Sequence, residues 1–103
     1  MKRERRSSHQ TLLLLGALLG QPRSWRHGYD LAAQTGLKSG TLYPVLMRLS
    51  DRGYLESKWE PSEMPGRPPR RMHRLTAKGI AFAREELAAS DEVALQRAAR
   101  VRT

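Results

Sequence analysis

The stretch "SGTLYPVLMRLSDRGYL", residues 39–55, decides the fold of this chain. Its apolar residues recur at the spacing of one helix face, at Leu42, Val45, Leu46 and Leu49. The pattern predicts an amphipathic helix that stops at Gly53. Gly40 and Pro44 are poor helix formers, yet both lie near its front. Because Ser39 is a good N-cap and Gly40 leaves the backbone uncovered, we interpret this end as one that approaches a partner closely.

Two helices are predicted before this stretch. The first spans His9–Leu19, where the apolar run covers most of the helix surface, and it ends at Gly20. The second begins at residue 26 or 27 and ends at Gln34, just before Gly36. The apolar side of this second helix is predicted to contain Tyr29, Leu31, Ala32 and Ala33. A tight turn, "TGLKS", then leads into the third helix.

After Gly53 the periodicity changes from that of a helix to that of a strand. In "YLESKWE", residues 54–60, side chains alternate in character, which predicts a strand. Residues 61–70 hold four of the six prolines and must form a loop, and residues 71–75, "RMHRL", suit a return strand. Thr76 is a good N-cap for a long helix from Ala77 to about Arg100. We expect Trp59 to pack beneath this hairpin.

This order of elements is that of a winged helix-turn-helix, a mainly α fold with a small β hairpin. We divide the chain into a flexible basic arm at residues 1–8, a DNA-binding domain at residues 9–75 and a C-terminal dimerisation helix at residues 76–103. Trp25, which precedes the second helix, is expected in the core or in an interface.

The charge of the chain favours a polyanionic partner, nucleic acid before an anionic membrane. The 103 residues contain 19 Lys and Arg against 10 Asp and Glu, a net charge of +9. The excess lies in residues 1–40 and in the loop with "GRPPRR", not in the last helix. No cysteine is present, and the three histidines lack ligand spacing, so we predict no metal, no cofactor and no catalytic site.

The chain resembles the PadR-like family of transcriptional regulators. The resemblance rests on "GTLYP" followed by "VLMRL", on "HGYDL" at residues 27–31, on "RGYLESKWE" and on "GRPPRRMHRLTAKG". It covers roughly residues 10 to 90 and implies a repressor of the compact branch, without a separate effector domain. Met72 and His73 stand where the family usually has two tyrosines, and the last helix lacks the tryptophan of the drug-binding branch.

The residues predicted to contact DNA lie at the start of the third helix and in the proline-rich loop. They are Lys38, Ser39, Gly40, Thr41, Tyr43, Arg48, Arg67, Arg70 and Arg71. Ser39 is expected to cap the helix, with Thr41 as the alternative cap that would make Pro44 the third helical residue. The hydroxyls of Thr41 and Tyr43 are expected to face the groove, and the arginines to bind phosphate or enter the minor groove. For Arg48, a phosphate contact and a merely solvated side chain are equally compatible with the sequence.

A homodimer is predicted because one reading unit spans too few base pairs for specificity. Residues every seven positions form an apolar row on the last helix, and the first helix is expected to join it. The predicted dimer contacts are Ile80, Leu87, Ala94, Val101, Leu12 and Leu15.

The resulting hypothesis is a cytoplasmic regulator that binds a palindromic duplex site, with a small-molecule effector left open. The main alternative is a winged-helix module for protein–protein assembly, in which the basic surfaces are incidental. A hydrolase lacks any catalytic spacing in this sequence. A secreted or membrane-bound protein is disfavoured, because the apolar run at residues 12–19 is too short to span a bilayer and no cleavage site follows it.

Overall fold

The structure, a computed structural model, describes the backbone of residues 7–102 and the side chains of residues 7–91. Four helices and three strands follow one another as α1 (His9–Leu19), β1 (Arg26–His27), α2 (Gly28–Thr35), α3 (Ser39–Asp51), β2 (Leu55–Glu60), β3 (Arg70–Leu75) and α4 (Ala77–Arg102). The predicted arm lies outside the described residues except for its last two positions. The side chains of Ala94 and Val101 also lie outside them.

Helix α1 forms the centre of the core. Leu14, Leu15 and Leu18 are almost completely buried against the neighbouring helices and the sheet. The Ser8 hydroxyl caps the helix by accepting a hydrogen bond of 3.2 Å from the Thr11 amide. Leu15 has no accessible surface. Its predicted role as a dimer contact is therefore wrong, because a residue enclosed by its own chain cannot touch a second one.

The last two residues of the predicted arm are attached to the domain. Both the amide and the hydroxyl of Ser7 donate to Glu86 on α4, at 3.0 and 2.5 Å, and Ser8 caps α1. The prediction of a flexible arm is therefore wrong for residues 7 and 8, because hydrogen bonds to Glu86 and within the α1 cap hold them.

The pair α2 and α3 forms the helix-turn-helix. Gly36 closes α2 with a φ of 77°, a left-handed conformation that favours glycine, and its amide donates to Ala32. Helix α3 begins at Ser39, with Lys38 in the N-cap position and no side-chain cap. The predicted cap by Ser39 is wrong, since that residue is already helical. Pro44 is thus the sixth helical residue and removes the helical donor to the exposed Gly40 carbonyl.

The sheet contains one strand more than the predicted hairpin. Its order is β1-β3-β2, antiparallel throughout, with Arg26 opposite His73 and Trp59 opposite Arg71. Strand β1 occupies Arg26 and His27, where the sequence analysis placed the start of the second helix. Gly53, at φ 81°, makes the turn from α3 into the sheet.

Helix α4 starts close to the end of α3. The Thr76 hydroxyl accepts from the Gly79 amide at 3.0 Å, which confirms the predicted cap. A Cβ atom on Gly79 would overlap the Tyr54 carbonyl oxygen, so the helix approaches the backbone there as only glycine permits. The Tyr54 and Phe82 rings stack at 4.0 Å. Within residues 7–102, no helix has the length and apolar character needed to cross a membrane.

Candidate nucleic-acid interface

The front of α3 is an exposed surface of small and polar residues. Lys38, Ser39, Gly40 and Thr41 are all exposed, and nothing lies within 4 Å of a Cβ built on Gly40. The Leu42 side chain one residue further on is fully buried and anchors this end in the core. The backbone at Gly40 is therefore open to a close approach by a partner.

Tyr43 joins this surface to the start of α2. Its side chain is 46% exposed, and its ring passes over Gly28 so closely that a Cβ on Gly28 would lie 2.5 Å from the hydroxyl. A side chain at position 28 would displace the ring. The glycine of "HGYDL" and the tyrosine of "GTLYP" thus form one contact.

We call the hairpin β2–β3 with its loop, residues 61–69, the wing. A turn stiffens its tip: the Arg67 amide donates to the Met64 carbonyl at 3.2 Å, with Pro65 and Gly66 between them and Gly66 at φ 83°. Ser62 adds a hydrogen bond of 3.0 Å to the same carbonyl. The predicted arginines Arg67, Arg70 and Arg71 are all exposed. A stiff loop loses little conformational freedom when it binds.

A groove of about 670 Å³ separates the wing from helices α2 and α3. The residues that line this groove are His27, Gly28, Tyr29, Asp30, Tyr43, Trp59, Pro69, Arg70 and Arg71. It unites three of the predicted DNA-binding residues from distant parts of the sequence. We call it the aromatic groove.

Two aromatic residues of this groove contradict the sequence analysis. Tyr29, assigned to the apolar side of α2, is 80% exposed, and Trp59, assigned to packing beneath the wing, is 62% exposed. The alternation of β2 did place Trp59 on the same side as buried Leu55. The sheet extends beyond the helices, however, so that side is solvent-exposed at its far end.

Hydrogen bonds and ring contacts orient the cation of Arg71. Its Nε and Nη2 atoms donate to the Ser57 hydroxyl at 3.2 and 2.9 Å, and its guanidinium lies 5.5 Å from the Trp59 ring centre. Neither Arg70 nor Arg71 forms an ion pair with a carboxylate in the described part of the chain. Both charges are thus available to an anionic partner.

His27, just before α2, contacts the loop end of strand β2. Its Nδ1 atom lies 3.3 Å from an Asp30 carboxylate oxygen, and its Nε2 atom lies 3.0 Å from one of Glu60. These carboxylates are the acidic side chains nearest to the aromatic groove on α2 and β2. Their contacts with one imidazole fix the position of the wing relative to α2. The sequence analysis missed this role of His27, because Glu60 lies 33 residues further along the chain.

Trp25 occupies the opposite face of the sheet. Its ring lies between two cations, 4.6 Å from the Lys58 ammonium and 4.3 Å from the Arg74 guanidinium. The predicted location in the core or in an interface is only partly right, since the residue is half-buried beneath charged side chains. Lys58 and Trp59 are successive residues of β2, so their side chains project from opposite faces.

Arg48 lies apart from the other predicted contacts. It is exposed on the side of α3 that faces the start of α1, where it lines a cavity of about 320 Å³ with Ser8 and Arg52. The structure therefore does not bring it together with the wing. Its assignment as a phosphate contact stays a prediction.

His73 lies behind the interface, beneath the wing. It is 4% exposed, and neither ring nitrogen has a hydrogen-bond partner within the described residues. Burial, followed by the charge of Arg71, lowers its pKa from 6.5 to about 4. The side chain is thus a neutral core residue at physiological pH. It fills the position at which the family resemblance implied a tyrosine.

Comparison with known proteins decides the family. The sequence profile of the Transcriptional regulator PadR-like family matches residues 14–85, which include helices α2 and α3 and the complete wing. This chain belongs to the PadR-like family. A comparison with curated proteins finds no significant match.

Solved structures agree with this assignment. A PadR-like transcription factor from Bacteroides fragilis is 27% identical, with a TM-score of 0.66, and the alignment covers 89% of this chain and 91% of that one. A PadR-like regulator from Bacillus cereus is 19% identical with a TM-score of 0.71, covering 90% and 91%. MepR of Staphylococcus aureus in its DNA-binding conformation is 16% identical, with a TM-score of 0.66, covering 91% and 66%. The last two show the fold alone.

The PadR-like assignment confirms the winged helix and the class of function. The family and its structural neighbours are regulators of transcription rather than enzymes. The family match spans all nine predicted DNA-binding residues, and each of them is exposed. Three of them, Tyr43, Arg70 and Arg71, meet at the aromatic groove, and the contact of all nine with DNA stays a prediction.

Proposed function

We propose that this PadR-like protein binds a palindromic duplex operator as a homodimer and represses transcription. The observation that carries the proposal is the aromatic groove, where Tyr43 of α3 meets Arg70 and Arg71 of the wing, beside the exposed front of α3. Lys38 at the α3 N-cap and three wing arginines supply its positive charge, and the α3 N-terminus adds a dipole that favours phosphate. Repression follows most simply from a bound dimer that excludes the polymerase.

The dimer follows from the size of this surface. One recognition helix and one wing read only a few base pairs, so specificity requires two copies about one helical turn apart. Leu12 on α1 and Ile80 and Leu87 on α4 are only half-buried within the single chain, which supports their assignment to the dimer contact. Leu15 is not part of this proposal.

The direct test measures duplex binding against salt concentration. DNA ligands selected from a random pool by the protein give a specific duplex, and a scrambled duplex of equal length serves as the reference. Replacing the three wing arginines by alanine should weaken binding to both and reduce the slope of log K against log salt by about 0.9 per lost phosphate contact. This triple variant is Arg67→Ala, Arg70→Ala and Arg71→Ala.

A control variant loses the same charge from exposed positions outside the wing and outside the aromatic groove. It combines Arg52→Ala, Lys78→Ala and Arg84→Ala. Its salt slope should equal that of the wild type. Equal slopes for all three proteins would remove the wing from the interface. A selection that enriches no duplex would instead favour the protein–protein assembly module.

A further inference from the structure

The aromatic groove lies between two surfaces that are expected in neighbouring grooves of the duplex. The front of α3 borders it on one side through Tyr43, and the wing borders it on the other through Arg70 and Arg71. In B-DNA a major groove and the adjacent minor groove are separated by a single sugar–phosphate strand. A protein that places a helix in one groove and a loop in the next must therefore accommodate that strand between them.

The chemistry of the groove matches a sugar–phosphate strand. Trp59 offers a flat apolar ring whose size suits the face of a deoxyribose. The residue is 62% exposed, which is unusual for so large a side chain. Tyr29, 80% exposed, presents a hydroxyl that can donate to a phosphate oxygen. Arg71 lies over the Trp59 ring and is held by Ser57, so a cation and an apolar surface are presented side by side.

Two acidic residues lie near these cations: Asp30 lines the groove, and Glu60 is opposite Arg70 in the β2–β3 register. Asp30 and Glu60 each contact a ring nitrogen of His27. Within the described residues, neither forms an ion pair with Arg70 or Arg71. The groove therefore combines unpaired positive charge with exposed aromatic rings, and this pairing suits a strand of alternating phosphates and sugars.

We propose that the aromatic groove binds one sugar–phosphate strand of the operator, with Trp59 packed on a deoxyribose and Arg70 and Arg71 on the flanking phosphates. This inference rests on the proposed DNA binding and adds a binding residue outside the recognition helix. Because sugars and phosphates are the same at every base pair, Trp59 contributes affinity that does not depend on sequence.

The two tryptophans of the chain provide a matched pair of reporters. The variant Trp25→Phe retains Trp59 in the groove, and the variant Trp59→Phe retains Trp25 between its two cations on the opposite face of the sheet. Each is titrated with the selected duplex, and saturation is followed by the anisotropy of a label on the DNA. Acrylamide quenching of the tryptophan is then measured with and without DNA.

The Stern–Volmer constant of Trp59 should fall by about twofold or more on saturation, because an interface with DNA removes the ring from solvent. That of Trp25 should change little. If the labelled DNA is saturated and Trp59 remains as accessible as in the free protein, the inference is overturned while DNA binding stands. If no duplex binds, the proposed function fails together with the inference.

Affinity provides a second readout. Trp59→Ala, an exposed substitution, should weaken binding by roughly five- to tenfold on both the selected and the scrambled duplex, as expected for loss of one aromatic contact. Trp59→Phe should retain most of the affinity. Equal affinity of Trp59→Ala and the wild type would overturn the inference. So would a loss confined to the selected duplex, because that would indicate base reading instead.

Discussion

Replacement of His73 by phenylalanine should remove a large part of the acid sensitivity of this fold. His73 is buried beside α3 with both nitrogens unpaired, and it lines a cavity with Tyr43 and Asp51 from that helix. Arg71 lies on the same strand, and Arg26 is opposite in the β1 register. Protonation would place a charge in this site with no carboxylate hydrogen-bonded to it. Phenylalanine keeps the flat ring and removes the titration.

The magnitude follows from the two pKa values. In the unfolded chain His73 titrates near 6.5, and in the folded protein burial and Arg71 lower its pKa to about 4. Between pH 4 and 6.5 the unfolded state therefore binds more protons, so the free energy of unfolding decreases as the pH falls. At about 1.4 kcal/mol per unit, the loss between pH 7 and pH 4.5 is about 2.5 kcal/mol. This loss is a substantial part of the free energy of unfolding of a typical domain, which is about 5–15 kcal/mol.

Urea unfolding at pH 7 and at pH 4.5 measures this loss. Carboxylates also titrate in this window, but they do so alike in both proteins, so the difference between wild type and His73→Phe isolates the histidine. The wild type should lose about 2.5 kcal/mol more than His73→Phe. A control at exposed His9, His9→Gln, should behave as the wild type. If wild type and His73→Phe lose equal stability, His73 is not a buried neutral residue.

Three further predictions concern the packing, the interface and the assembly. Gly79→Ala should lower the free energy of unfolding by about 2 kcal/mol, because the new Cβ atom overlaps the Tyr54 carbonyl. The control Gly16→Ala, which has open space around it, should raise the free energy of unfolding by up to about 1 kcal/mol. Thermal unfolding distinguishes the two variants, and equal melting temperatures would contradict the close approach of Gly79 to Tyr54. Tyr43→Ala should weaken specific DNA binding by roughly tenfold in gel-shift titrations and leave the fold intact, and a collapse of its melting temperature would instead make Tyr43 a core residue. Leu87→Asp should give a monomer in light scattering, because an unpaired carboxylate is costly to bury, and a persistent dimer would exclude α4 as the interface.

The local elements of this protein were predictable because their signals are local. The first helix was predicted at its observed bounds, and the Thr76 cap was correct. The change from helical to alternating periodicity after Gly53 located the wing, and the prolines of residues 61–70 located its loop. The buried stripe of α3, with Leu42 and Leu46, also followed from spacing alone. Each of these depends on neighbours within a few residues.

Short or boundary features were less predictable. Strand β1 has two residues, too few to show any period, and it exists because β3 offers a free edge beside it. The cap of α3 was placed at Ser39, but a helix start depends on backbone geometry set by the preceding turn, and here Lys38 occupies that position.

The sequence by itself determined the winged-helix order, the excess of positive charge and the buried stripe of α3, since composition and periodicity carry all three. Only the tertiary structure decided which large side chains are exposed. Trp59 and Tyr29 looked apolar and were assigned to packing, yet both are exposed, and Leu15, assigned to a partner, is enclosed by its own chain. Exposure depends on what the rest of the fold brings to each face of a helix or strand. A pattern along the chain identifies the face but not whether another element covers it.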